Sequence, residues 1–179
     1  MAIALTLGTL LAIAGLLVTS VQGFAVASGL QASSAIAKAL VTRHVALAIP
    51  SVMLSLFSQS MVIFFFIGTG RLVKDATARF SEADRRRVLR HLADLKRRTS
   101  PAATFALASS IAVFVLGGAV HTRALPPWVH LGASVLAVAL HVWALVAQWH
   151  AFGDNARLMA DPRGYLEAPR GAASRPESA

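Results

Sequence analysis

The sequence predicts an all-α integral membrane protein, a four-transmembrane-helix bundle with a short amphipathic cytoplasmic helix between the second and third spans. Three observations carry that prediction. Residues 3–27, 45–70, 102–120 and 128–152 contain no Asp, Glu, Lys or Arg, and each run is close to or above the roughly 20 apolar residues that cross a bilayer as a helix. Charge is instead gathered between residues 71 and 98, where ten Lys and Arg stand beside four Asp and Glu. The chain of 179 residues is 56% hydrophobic and 14% charged, which departs from soluble domains in the membrane direction.

The net charge of +9 therefore reflects topology more than a polyanionic partner. Nucleic-acid binding is set aside, because the basic stretch lacks aromatic platforms and any groove-reading motif. With no cysteine, disulfides and thiolate-ligated clusters are excluded.

The first span, about residues 3–27, opens without the basic n-region of a secretory signal and is read as a membrane helix. Gly8, Ala12, Gly15, Thr19, Gln22 and Gly29 fall roughly on one face, a stripe of small and weakly polar residues suited to close helix contact. Residues 28–43 are expected to form the first outer connection, carrying only Lys38 and Arg43. In the second span Pro50 either begins the helix or kinks it, and Ser51, Ser55, Ser58 and Gln59 share a face. Gly68-Thr69-Gly70 at its end lacks the rest of a phosphate-loop motif.

The basic segment follows. Ser81 and Asp84 resemble a capping box and predict a helix start near Glu82, and Val88, Leu89, Leu92 and Leu95 recur on one face. Such a basic amphipathic helix lies on anionic lipid or under its own bundle. Ser100 before Pro101 reads as a fresh helix start, opening the third span at about residue 102. The fourth span carries an inward stripe of His130, Ala133, Ser134, Ala137, His141, Ala144 and Gln148, with Trp128 and Trp149 as interfacial anchors. Residues 153–179, with Pro, Gly, Ser and balanced charge, are expected to be a mobile cytoplasmic tail.

Short loops rich in Lys and Arg stay in the cytoplasm. That places both termini there, in a multi-pass protein of a bacterial inner membrane.

Three groups of residues are candidate sites. Counted inward from the span starts, Gln59, Ser109, Ser110 and His141 share one depth, predicting a buried polar layer, because hydrocarbon offers polar groups no other partner. His44, His121 and His130 fall at the outer ends of the second, third and fourth spans, where imidazoles from different helices can clamp haem b or a metal ion. Arg85, Arg86, Arg87, Arg90, Lys96, Arg97 and Arg98 are placed to contact lipid head groups or a partner.

The spans hold no Asp or Glu, which argues against a cation-coupled pump. A Ser58–His141 approach is no evidence for a protease in a bundle so rich in serine. Two function classes follow: a non-catalytic membrane subunit or scaffold, also able to self-associate, or a small electron-transfer protein carrying haem b.

Overall fold

A computed structural model describes residues 1–29 and 34–167. Four long helices, α1 (Ala2–Gly29), α2 (Ser34–Ala76), α3 (Glu82–His121) and α4 (Pro127–Ala160), are followed by one helical turn, α5 (Gly164–Glu167). Each of the four is long and apolar enough to cross a membrane.

The helices pack in chain order around a square, α1 against α2, α2 against α3, α3 against α4 and α4 back against α1, so that α2 and α4 face across a diagonal. Sequence spacing dictates this packing. On α4 the buried positions Ser134, Ala137, His141, Ala144, Gln148, Ala151, Asn155 and Leu158 alternate at three and four residues, the 3.5-residue seam of a left-handed bundle. Val88, Leu92, Leu95, Thr99, Ala102, Ala106, Ser110 and Val113 form the matching seam on α3. The outward faces keep Leu, Ile, Val and Phe exposed, among them Phe24, Phe57, Phe64, Phe105 and Phe114, a composition compatible with a lipid-facing surface.

Side-chain size grades along the bundle. At the basic end Leu5, Val62, Phe66, Val73, Leu92, Leu95, Phe152 and Leu158 make one apolar cluster, with Phe66 stacked on Phe152 at 5.5 Å and Phe65 edge-on to both. Towards the other end the contacts are small. A Cβ on Gly15 would lie 2.6 Å from Ser51 Oγ, and one on Gly8 would lie 2.9 Å from Ser58 Oγ. Seven residues separate each pair of partners in opposite directions, which is an antiparallel register between α1 and α2. The small-residue stripe on the first span is thus the line of closest approach to α2.

Three expected boundaries move. The second helix begins at Ser34 rather than near residue 45, so Lys38 and Arg43 ride on its first turns; residues 30–33 of the expected outer connection lie outside the described residues. The basic helix and the third span are one helix. Ser81 caps it through Asp84 N at 3.2 Å, but Ser100 and Pro101 lie in its interior, because the three-four seam continues across them and packing outweighs the one hydrogen bond that Pro101 cannot donate. The fourth helix runs past Phe152 to Ala160, held by buried Asn155 and Leu158. Residues 168–179 of the expected tail lie outside the described residues.

Candidate functional site

α2 and α4 run parallel across the diagonal, and polar residues meet along it. Eleven residues separate His44 from Ser55 on α2 and His130 from His141 on α4. One register therefore brings two histidine-centred contacts into line.

The deeper contact is a closed hydrogen-bond chain. His141, fully buried, has Nδ1 at 2.7 Å from the Ala137 carbonyl. A carbonyl only accepts, so the ring proton sits on Nδ1 and Nε2 is the acceptor. Ser55 Oγ lies 2.6 Å from Nε2 and donates to it, while Ser110 Oγ at 2.7 Å donates to Ser55. Every group is satisfied, as a polar cluster in a low-dielectric interior requires. A carbonyl occupies the position at Nδ1 where a serine nucleophile's relay would need a carboxylate. Ser55, not Ser58, meets His141.

Gln59 does not join this layer. It lies one turn further along α2, where Gln148 Nε2 donates to its Oε1 at 2.7 Å. Ser109 turns back to its own helix, bonding the Ala106 carbonyl at 2.7 Å. The expected single layer is therefore two. The reason is register: span starts assumed near residues 45 and 128 place Gln59 opposite His141, whereas the helices align Ser55 with it.

At the end remote from the basic segment, the rings of His44 and His130 approach to 6.2 Å between centroids, at 82° to one another. Each is seated against a glycine of the other diagonal: a Cβ on Gly23 of α1 would lie 3.3 Å from His44 Cε1, and one on Gly117 of α3 would lie 3.2 Å from His130 Cε1. The seats repeat in detail, since the backbone of Thr19, one turn before Gly23, faces His44, and that of Val113, one turn before Gly117, faces His130. Both Nδ1 atoms are enclosed without a hydrogen-bond partner, as is Oε1 of Gln22, the residue preceding Gly23. His121 stands apart, exposed on the last turn of α3. No group of three or more His, Cys, Asp or Glu fit to hold a metal occurs among the described residues. His150 lies elsewhere, with Trp149, Thr6 and Leu10 along a groove between α1 and α4.

The basic residues divide. Arg86, Arg87, Arg90, Arg97 and Arg98 are exposed on α3 while Val88, Leu92 and Leu95 bury its other face. Lys96 folds over the end of α2, its Nζ 2.9 Å from where a Cβ on Gly70 would be. Arg85 is half-buried, with its Nε enclosed and unpartnered. Arg86 and Glu82, at 3.7 Å, form the one salt bridge among the described residues, an exposed pair that contributes little.

The serine face of α2 and the stripe on α4 were visible in the sequence; Gln148 as the partner of Gln59 and the glycine seats were not. The signal for the seats is a repeated pairing, a glycine in the first helix and a histidine in the second helix at the same end of each helical hairpin, Gly23 with His44 and Gly117 with His130. No family model, curated protein or solved structure matches the chain.

Proposed function

We propose that the chain is a non-catalytic multi-pass membrane subunit or scaffold, with both termini in the cytoplasm of a bacterial cell, whose basic end contacts anionic lipid head groups. The observation that carries this reading is the surface of α3. Five arginines, Arg86, Arg87, Arg90, Arg97 and Arg98, are exposed on the turns that lead into the apolar part of the same helix, and acidic neighbours leave them largely unneutralised. Each cation near an anionic membrane surface gains about 1 kcal/mol from the surface potential. The interior supports a structural role, since His141, Ser55 and Ser110 satisfy one another and are suited to fixing helix register.

The test is lipid-dependent stability of the purified full chain in neutral detergent. Added phosphatidylglycerol should raise the unfolding temperature more than phosphatidylcholine, less so at high salt. Replacing Arg90, Arg97 and Arg98 with Gln should remove most of that difference. Equal effects of the two lipids on the unaltered protein would refute lipid contact, and a protein retained through the arginines in its place would make the surface a partner interface.

A further inference from the structure

We propose that the end of the bundle remote from the arginines is a binding site for haem b, with His44 and His130 as the two axial ligands of its iron. This goes beyond the lipid contact and does not rest on it.

The spacing of the rings comes first. Two imidazoles on opposite sides of one metal place their ring centres about 6 Å apart, from two metal–nitrogen bonds of about 2 Å and about 1 Å from each nitrogen to its ring centre. The observed separation is 6.2 Å. Ring planes at 82° are compatible with this, since each imidazole turns independently about its own bond to the metal.

Placement on the fold is the second argument. The ligands come from α2 and α4, which face each other across the diagonal, so a flat macrocycle between them extends towards α1 and α3. Those helices present Gly23 and Gly117 at that level, where any side chain would project into the space beside the histidines.

The donor set chooses the group. Each ring keeps an enclosed Nδ1 with no partner, and burying such an atom unpaired is costly. A bare zinc ion takes four ligands, usually with Cys or carboxylate among them, and among the described residues no third such group joins the pair. Iron already held by four porphyrin nitrogens lacks two, and two imidazoles from different helices supply them. His121, expected from sequence as a third ligand, is exposed and has no place in this set.

The experiment is titration of the purified, full-length apoprotein with hemin, followed by dithionite-reduced minus oxidised spectra. The unaltered chain should take up one haem per chain and show the sharp α band of six-coordinate, low-spin iron. His44→Ala and His130→Ala should each lose that band, while His121→Ala and His150→Ala keep it. Size-exclusion profiles identify any variant that fails to fold, and added imidazole should restore the low-spin band to His130→Ala if the seat is otherwise intact. The arginine-to-glutamine variant should bind haem normally, so the two proposals fail separately. No low-spin species in the unaltered protein, a band surviving in both alanine variants, or stoichiometric zinc or copper binding through His44 and His130 without hemin uptake would each overturn the assignment.

Discussion

Gln148 donates from Nε2 to Oε1 of Gln59 at 2.7 Å, with both side chains fully buried, and the complementary pair of atoms, Gln59 Nε2 and Gln148 Oε1, is left without partners. The pair is half satisfied, so its members depend on one another. Replacing one glutamine by Leu strands the other amide in an apolar interior and should cost about 1–3 kcal/mol. Replacing both removes every buried amide atom at that level, so the double variant should be more stable than either single one. A double-mutant cycle from reversible unfolding in detergent checks this; additive losses would mean that the two amides are not coupled.

The His141 contact is ordered in the opposite sense, because its chain of donors has a direction. Ser55→Ala removes the hydroxyl that donates to Nε2 and should destabilise the protein by about 1–3 kcal/mol. Ser110→Ala should cost less, since Ser55 can still donate to the ring. Nitrogen NMR of a histidine-labelled sample should show the Nδ1–H tautomer at His141 and slow exchange of that proton. An Nε2–H tautomer would reverse the direction of the chain.

The four long apolar helices were legible because length and absence of charge determine them locally, and the inward stripe of α4 was legible because its three-four spacing is a property of one helix. Register between helices is not local. Placing the start of the second helix near residue 45, eleven residues after its start at Ser34, set Gln59 opposite His141, one turn away from the partner that His141 has, Ser55. Pro101 misled for a related reason: proline fits a first turn and can also be carried in a helix interior. The unbroken spacing from Val88 through Thr99 to Ala102 and Ala106 was the signal for one continuous helix. His44 and His130 could be assigned to one end from the sequence, but their placement on one diagonal, with glycines on the other, depends on the order of packing around the square.

The approach of α1 to α2 is tight enough to be tested by a single methyl group. At Gly15 an added Cβ meets Ser51 Oγ at 2.6 Å, Cβ at 3.0 Å and Cα at 3.6 Å, whereas at Gly8 only Ser58 Oγ, at 2.9 Å, is too near. A hydroxyl can rotate away; a Cβ cannot. Gly15→Ala should therefore destabilise the bundle by about 1–3 kcal/mol, and Gly8→Ala by less. Ser51→Gly in the Gly15→Ala background should recover most of the loss, because it restores a small residue on one side of the contact. Equal tolerance of alanine at both positions would show that the helices can part there without cost.

At the basic end, α5 is tied back to α3 through Tyr165, whose hydroxyl lies 2.5 Å from His91 Nε2. Asp161 sets up the turn by accepting from Arg163 N and Gly164 N at 3.1 and 3.0 Å, and Arg163 lies over Phe80 at 4.8 Å. Burial holds the Tyr165 phenol above its ordinary value of 10.0, the Asp154 carboxylate adds to the effect, and Arg157 and Arg98 oppose it. Because the folded value is raised, the contribution of Tyr165 to docking is fully present below the ordinary tyrosine value. It is lost as pH rises through the raised one. The chain has one tyrosine, so phenolate absorbance reports this site alone. Phenolate should appear at higher pH in the native protein than in the denatured chain, and α5 should become protease-sensitive over the same interval. Tyr165→Phe should abolish the absorbance change and expose α5 already at neutral pH. A native phenol titrating at or below the denatured value would mean that α5 is not docked on α3.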